Sequence, residues 1–184
     1  SDEWLEEAAR RGLPNLVSTV DALPHYMDPQ NIAMFEKFRI YTKEEIASRT
    51  DILLENYSKV INIEAMTMMD MTKKKLLPAA MEYGKKICDT AIAKKQLGLD
   101  ASAETKLAAD LDSNTAKMYE AMQALESKVN AAKEIGDVLE CAKAYRSQVF
   151  SAMGDLRTYA DQLEMLVSAE DWPLPPYSDL LFNV

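Results

Sequence analysis

The stretch from Thr42 to about Leu97 contains almost nothing that stops a helix. No glycine occurs in it before Gly84 and no proline before Pro78. Thr42 and Glu45 have the spacing of a capping box, in which each side chain binds the backbone N–H of the other. Apolar residues then recur every three or four positions, as one face of a helix requires: Leu54, Tyr57, Ile61, Met68, Met71, Leu76, Tyr83 and Ile87. The pattern predicts one long helix.

Pro78 is expected to bend this helix without ending it. Proline lacks an N–H group and its ring clashes with the carbonyl four residues back, but the apolar pattern resumes after it. Gly98 suits the left-handed position that follows a last helical turn. A helix of this length spans roughly 80 Å at about 1.5 Å per residue. That exceeds the width of a compact domain, so the helix should protrude as an arm.

Two more helices are predicted after Gly98. The first begins at Asp100 or Ser102 and ends near Ile135, and the second begins at Asp137. Short connections make consecutive helices antiparallel neighbours. Their apolar stripes are Leu107, Leu111, Met118, Met122, Leu125, Val129 and Ala132 in one, and Ala142, Tyr145, Val149, Ala152, Leu156, Tyr159, Leu163 and Leu166 in the other.

The predicted fold is therefore all-α and has three parts. Residues 1–41 form short helices and a loop, with a helix starting at Asp28 and Pro29. Residues 42–170 form a long antiparallel three-helix bundle that resembles a coiled coil. Residues 171–184 form an apolar tail that prolines keep from being helical throughout. A tail with these apolar residues should dock on a surface: Trp172, Tyr177, Leu180, Leu181 and Phe182.

Composition agrees with a helical fold and narrows the function classes. The 184 residues include only five glycines, and the formal charge is −9. An acidic surface repels phosphate backbones, so a nucleic-acid partner is not expected. Two cysteines are too few for a disulfide framework, and no signal peptide or membrane-length apolar run is present. We expect a cytoplasmic protein without a membrane partner. A start at Ser1 without an initiator methionine indicates a piece of something larger.

Isolated polar residues do not form a catalytic constellation. His25 is the only histidine, which argues against zinc and for an ordinary loop or core residue. Glu64 falls on the apolar stripe of the long helix. It is either a buried carboxylate serving a metal or a lysine, or a carboxylate at the bundle edge, and the second interpretation is favoured. One histidine also excludes the Glu-x-x-His pairs of di-iron bundles. We predict no catalytic, cofactor-binding or metal-binding residue in this chain.

Three further groups have a structural and a functional interpretation. The methionine cluster of Met66, Met68, Met69 and Met71 is either adaptable core or a surface that repacks around a partner, and core is favoured. A basic run could contact phosphate but lacks a glycine-rich loop, so pairing with acids on other helices is favoured. The run comprises Lys73, Lys74, Lys75, Lys85, Lys86, Lys94 and Lys95. Cys88 and Cys141 are interpreted as small packing residues.

Several short motifs resemble one enzyme family. They are RGLPN at 11–15, TVDALP at 19–24, FEKF at 35–38, YTKEE at 41–45, LENY at 54–57, INIEA at 61–65, DM at 70–71, LPA at 77–79 and DLLF at 179–182. In these motifs the chain resembles the C-terminal helical region of type III glutamine synthetases. The likeness extends over essentially the whole chain, although the stretch from about Gln96 to Arg146 is generic.

The resemblance implies a role without implying a catalytic residue. The family condenses glutamate with ammonia, using ATP and Mg²⁺ or Mn²⁺, in nitrogen metabolism and glutamine biosynthesis. Its ligands belong to a β-rich catalytic barrel that has no counterpart here. By resemblance, residues 13 to about 60 correspond to helices that close the catalytic domain, and the rest is the extension typical of this type. The implied partners are the catalytic domain of the same chain and neighbouring subunits of a homo-oligomeric ring.

Three functions therefore compete. The first is a non-catalytic C-terminal domain that supports the fold, the oligomer or the active-site shape of a glutamine synthetase. The second is a free-standing helical adaptor that binds a partner helix. The third is a small enzyme with its site between the helices, which needs two converging polar groups in the seam. Only Glu64 was found there, so the fragment alone is predicted to be inactive.

Overall fold

The computed structural model describes residues 2–175 and 177–182, with only the backbone at Asp2, Tyr177, Ser178 and Phe182. Within these ranges the regular structure is helical and contains no strand, which confirms the all-α prediction. The helices are α1 (Asp2–Arg10), α2 (Thr19–Ala22), α3 (Pro29–Lys37), α4 (Lys43–Met71), α5 (Leu77–Gln96), α6 (Ser102–Lys133), α7 (Val138–Ala144), α8 (Phe150–Glu164) and α9 (Tyr177–Phe182). A 3₁₀ turn, Leu23–Met27, follows α2.

The predicted long helix runs without a break from Lys43 to Gln96. It begins with the predicted capping box: the Glu45 N–H donates to Thr42 Oγ1 at 3.3 Å, and the Thr42 N–H donates to Glu45 Oε2 at 2.8 Å. It ends before Gly98, whose φ of 72° is the left-handed conformation expected after a last turn. Both ends were therefore set by local sequence signals.

A five-residue π-helical turn, Thr72–Leu76, joins α4 to α5 just before Pro78. In this turn the Leu77 N–H donates to the carbonyl of Thr72, five residues back. The wider turn moves the preceding carbonyls relative to the proline ring, which lets the helix continue. A second π turn, Tyr145–Val149, joins α7 to α8 in the same way, although no proline follows it.

Contacts between the helices show their relative directions. On the long helix that runs from α4 through α5, Lys73 pairs with Glu126 of α6, and the later Lys94 pairs with the earlier Glu104. Helix α6 therefore runs antiparallel to the long helix. Farther along, the Tyr145 hydroxyl lies 3.2 Å from Asn62 Oδ1, and Asp171 pairs with Lys86. In these two pairs the residue numbers increase together. The α7–α8 helix therefore runs parallel to the long α4–α5 helix.

The predicted apolar stripes meet in one core between these helices. Leu125, Val149, Leu156 and Leu163 are at most 1% exposed. The other members predicted for α6 and for the α7–α8 helix are buried or half-buried. The buried residues of the long α4–α5 helix are Ile46, Thr50, Leu54, Ser58, Ile61, Ala65, Met69, Thr72, Leu76, Leu77, Ala80 and Ala91. Burial of this apolar area is the main stabilising contribution.

The N-terminal elements pack against the start of the bundle. Ser18 caps α2 by accepting from the Asp21 N–H at 3.2 Å. Val20 and Leu23 form a second small core with Leu54 of α4 and Ala142 of α7. Helix α3 follows Asp28 and Pro29 as predicted, but none of its residues is buried. Its apolar residues therefore lack a complete cover in this chain.

The start of the tail docks on the bundle as expected. Trp172 is buried and Leu174 is half-buried against the main core. The expectation was wrong for Leu180 and Leu181, which lie on α9 after the prolines and are 64% and 72% exposed. The tail prediction also named the side chains of Tyr177 and Phe182 and the last residue, Val184, which lie outside the described residues. The boundaries at 41 and 170 stay a prediction.

Candidate functional site

The isolated polar candidates have ordinary surroundings. His25 is exposed, and its Nδ1 lies 2.8 Å from Asp28 Oδ2. Glu64 is exposed at the edge of the bundle, as the favoured interpretation predicted. Within residues 2–175 and 177–182, no three histidine, cysteine, aspartate or glutamate side chains come together in a way that could hold a metal ion.

The structural interpretations of the methionine and lysine groups hold in part: the core interpretation is wrong for the exposed Met66, and three of the seven lysines pair with acids on other elements. Met69 is buried, Met68 and Met71 are half-buried, and Met66 is exposed. In the basic run, Lys73, Lys86 and Lys94 pair with Glu126, Asp171 and Glu104, which lie on or beyond other helices. Lys74 pairs with Asp70 on its own helix.

The two cysteines differ from each other. Cys141 is half-buried, and its Sγ lies 3.5 Å from the Ala132 carbonyl oxygen, so it packs as predicted. The prediction for Cys88 was wrong, because its side chain is exposed on α5. Ile87, the residue before Cys88, is half-buried against the core, and at about 100° per residue the side chain of Cys88 turns away from it to the exposed side of α5.

The Lys86–Asp171 ion pair connects the tail to α5. The ammonium of Lys86 donates a hydrogen bond to Asp171 and lowers the pKa of that carboxyl, and the Ser168 hydroxyl adds to the effect. The same hydrogen bond raises the pKa of Lys86. Trp172 is adjacent to Asp171 and buried, so an ion pair and an apolar anchor act at the same place.

The outer face of α4 carries several exposed apolar side chains. It consists of Ile52, Leu53, Val60, Ile63 and Met66, which are between 45% and 63% exposed. At about 100° per residue, this face is centred roughly 160° from the buried stripe of the same helix. Helix α4 is therefore apolar on two nearly opposite faces, of which the bundle covers one. Asn56 and Lys59 interrupt the apolar residues on this outer face, and such a concentration of exposed apolar side chains makes the face a candidate binding surface.

An aromatic hollow of about 320 Å³ lies at the N-terminal end of this outer face. The residues that line it are Tyr26, Phe35 and Tyr41 and, on α4, Ile46, Arg49, Thr50, Ile52 and Leu53. The rings of Tyr26 and Phe35 have centroids 6.4 Å apart, and those of Phe35 and Tyr41 are 5.8 Å apart.

A guanidinium group borders the hollow. Arg49 Cζ lies 4.4 Å from the centroid of the Tyr41 ring, which is a cation–π distance. Concave, mostly apolar sites with a few placed polar groups are typical of binding pockets. The hollow and the outer face of α4 together are the candidate docking surface.

Sequence reasoning missed this surface. The signal was present, because Ile52, Val60 and Ile63 also follow a helical repeat. The buried stripe of the same helix has the same period, so the sequence pattern was explained without the second stripe. The aromatic hollow needed the fold, since Tyr26, Phe35 and Arg49 come from three elements.

None of the helices in the described ranges is both long and apolar enough to cross a membrane.

Comparisons with known proteins place the chain in a family. A family model described as "Glutamine synthetase C-terminal domain" matches residues 1–95. The whole chain is 39% identical to a glutamine synthetase of Butyrivibrio fibrisolvens, of which it covers 27%. It is 31% identical over its full length to a glutamine synthetase of Bacteroides fragilis (strain YCH46), covering 26% of it.

A type-3 glutamine synthetase of Dictyostelium discoideum is 30% identical over 99% of the chain and is covered to 26%. The chain thus spans about a quarter of the length of the curated relatives it matches. These matches confirm the resemblance noted in the sequence motifs. The chain belongs to the glutamine synthetase C-terminal domain family.

Proposed function

We propose that this chain is the non-catalytic C-terminal helical domain of an ATP-dependent glutamate–ammonia ligase. In this proposal it supports the fold of the enzyme, the assembly of its oligomer or the shape of its active site. The observation that carries the proposal is the match to glutamine synthetases over essentially the entire chain, which accounts for only about a quarter of their length. The remaining three-quarters would hold the catalytic barrel.

Two structural features favour a non-catalytic role for this chain. The polar residues singled out in the sequence lie apart from one another on exposed surfaces, whereas the prominent surface features are apolar. ATP and Mg²⁺ or Mn²⁺ would bind in the catalytic portion. The partners would be that portion and neighbouring subunits of a homo-oligomeric ring. The adaptor alternative is not favoured, because the matches covering the whole chain are glutamine synthetases.

The test is to break the bundle within the full-length enzyme. Val149→Asp places a charge at a fully buried position and should unfold the α7–α8 helix. Ser151→Asp, two residues away and exposed, is the matched control. Oligomer size by sedimentation and the rate of glutamine formation are the readouts.

Loss of either property in Val149→Asp alone would support the proposal. Normal assembly and normal activity in a Val149→Asp enzyme whose bundle is shown to be unfolded would contradict it. Unfolding of the bundle can be followed by the exposure of Trp172 to a quencher, since this residue is buried against the bundle core.

A further inference from the structure

We infer that a second hollow, between α4 and the α7–α8 helix, binds a small aliphatic carboxylate. The carboxylate group of this ligand would face the ammonium groups of Lys59 and Lys133, and its hydrocarbon part would lie against an apolar wall beside them. We call this place the α4–α7 hollow. The inference goes beyond the proposed supporting role and does not depend on it.

Three elements form the walls of the α4–α7 hollow, whose volume is about 310 Å³. One side of α4 contributes Glu55, Ser58, Lys59 and Asn62, which are three and four positions apart. The α7–α8 helix contributes Val138, Cys141 and Tyr145, and the connection that starts at Lys133 forms the third wall. Pockets for small organic molecules measure about 300–1,000 Å³, so the hollow accommodates a small ligand.

Buried side chains fix the floor of the hollow. Tyr145 is 3% exposed and Ser58 is 8% exposed. The Tyr145 hydroxyl donates to Asn62 Oδ1 at 3.2 Å, and the Ser58 hydroxyl donates to the carbonyl of Leu54 at 3.1 Å. Because these bonds hold the side chains in place, the hollow has a defined shape before a ligand arrives.

The hydrogen bond from Tyr145 also orients the amide of Asn62. The amide oxygen is the acceptor of this bond, and the Nδ2 group bonds to no acceptor in the part of the chain that the structure describes. Burial raises the pKa of Tyr145, so its hydroxyl keeps its proton and remains the donor. Asn62 therefore offers a hydrogen-bond donor, which suits a ligand that carries oxygen acceptors.

The charges that line the hollow favour an anion. Lys133 makes no ion pair within residues 2–175 and 177–182. Lys59 pairs with Glu55 at 2.9 Å, but both side chains are at least half exposed, and such pairs contribute little to stability. Two lysines and one glutamate give the hollow a formal charge of +1, whereas the whole chain has −9.

An apolar wall distinguishes an organic anion from an inorganic one. Ile135, Val138 and Cys141 are half-buried and line the hollow beside the lysines. A phosphate ion would leave this wall in contact with water, whereas a short hydrocarbon chain would cover it and gain from the removal of apolar surface from water. The combination of an ammonium pair, an amide donor and an apolar wall fits a small aliphatic carboxylate.

Thiol labelling in the full-length enzyme tests the inference, because Cys141 lines the hollow and Cys88 is exposed on α5. The enzyme reacts with methyl methanethiosulfonate, a small neutral reagent, at increasing concentrations of sodium butyrate. Peptide mass spectrometry gives the rate at each cysteine. Butylamine has the same hydrocarbon chain with the opposite charge, and phosphate is an anion without a hydrocarbon chain. Sodium chloride keeps the ionic strength constant.

We expect butyrate at ten times its dissociation constant to slow the labelling of Cys141 about tenfold, since only the unliganded fraction reacts. The rate at Cys88 should not change, and butylamine and phosphate should protect Cys141 far less than butyrate.

Two variants locate the site. Lys133→Ala should raise the butyrate concentration that gives half protection about tenfold, because a charge-assisted hydrogen bond is lost. Lys117→Ala is the matched control, since Lys117 is exposed on α6 and does not line the hollow. Asn62→Asp keeps an acceptor for Tyr145 but replaces the amide donor by a second anion, so it should abolish protection.

A Cys141 rate that butyrate leaves unchanged would overturn the inference. Equal protection by phosphate would also overturn it, since the hollow would then be a general anion site. Equal slowing of Cys88 would mean a change of the whole domain, and undiminished protection in Lys133→Ala or Asn62→Asp would place butyrate elsewhere. None of these readouts is an activity, so the outcome is separate from the test with Val149→Asp.

Discussion

Individual side chains in the interior of the bundle are buried almost completely. Leu111, Met118, Leu125 and Leu156 are at most 1% exposed, and each lies on a stripe of spacing three and four. Close packing leaves little room for rearrangement, so removal of a buried side chain leaves a cavity. Leu97, which follows the last residue of α5, is by contrast 77% exposed.

Leu125→Ala should therefore lower the free energy of unfolding by about 2–5 kcal/mol, as found for leucines in packed cores. Leu97→Ala is the matched control, because Leu97 is 77% exposed, and its effect should stay within about 0.5 kcal/mol. Urea unfolding followed by circular dichroism measures both. Equal effects of the two substitutions would mean that Leu125 does not lie in a packed core.

The ion pair at the tail makes stability depend on pH in a defined direction. Lys86 lowers the pKa of Asp171 in the folded chain below its usual value of about 3.9. A carboxyl whose pKa is lowered by folding stabilises the fold above the unfolded pKa, and this contribution is lost as the pH falls through the folded value.

Asp171→Asn should accordingly lower the melting temperature at neutral pH, by an amount that is constant above about pH 5. The difference from the unmodified chain should shrink as the pH falls below about 4. Asp112→Asn is the control, since Asp112 is exposed on α6 and makes no ion pair in the described part of the chain. Melting curves between neutral pH and pH 2.5 show whether the difference shrinks or instead stays constant.

Buried residues were largely predictable one by one. The stripes of α6 and of the α7–α8 helix were correct because a helix with one covered face repeats its apolar residues at a single period. The buried residues of α4 were harder to predict, because small and polar residues such as Ala65, Thr50 and Ser58 are among them. The hydroxyls of Thr50 and Ser58 bond to carbonyls four residues back, which satisfies them without any signal in the sequence.

At the scale of whole helices, the ends were encoded locally and the interruptions were not. Thr42, Asp137 and Gly98 act at helix ends as predicted, since caps depend on neighbouring residues only. The π turns at Thr72–Leu76 and Tyr145–Val149 were not predicted. A π turn depends on the fit of distant residues across the core, which local propensity does not describe.

Thr42→Ala should remove one half of the capping box and lower the free energy of unfolding by about 0.5–2 kcal/mol. Thr90→Ala is the matched control, because Thr90 is an exposed residue within α5 whose hydroxyl bonds to the carbonyl of Lys86. Alanine favours a helix interior, so this control should be neutral or slightly stabilising. Hydrogen exchange in the first turn of α4 should accelerate in Thr42→Ala only.

For the molecule as a whole, the tail and the bundle form one packed unit. Trp172 is buried against the same core as Leu163 and Val167, and it closes the end of the α7–α8 helix. Trp4, the other tryptophan, is 53% exposed on α1. The two residues allow a matched comparison of the two ends of the chain.

Trp172→Ala should cost about 3–5 kcal/mol of unfolding free energy, whereas Trp4→Ala should change it by less than about 0.5 kcal/mol. In a Trp4→Phe background, fluorescence comes from Trp172 alone. Its emission should be blue-shifted and resistant to acrylamide until the chain unfolds. Ready quenching in the folded state would contradict the docked position of the tail.

The fold class was predictable from the sequence, and the docking surface was not. Helical periodicity over long segments is a strong signal, so three long helices could be recognised from residues alone. The aromatic hollow depends on Tyr26, Phe35 and Tyr41 being brought together by the turns that precede α4. Periodicity cannot distinguish an apolar stripe that faces the core from one that faces a partner, and only the assembled bundle shows which face remains uncovered.

At the two π turns, a helix can lose one residue without changing which side chains face the core. Each holds one more residue than the regular helix needs for the same number of turns, and both lie midway along helices whose ends are otherwise fixed. Loss of one lysine from the run Lys73–Lys75 would therefore restore ordinary winding and keep every later side chain aimed at the core. Loss of one residue within α5 itself would rotate all following residues by about 100°. Relatives should consequently differ in length by single residues at these two places before they do so anywhere else in the long helices.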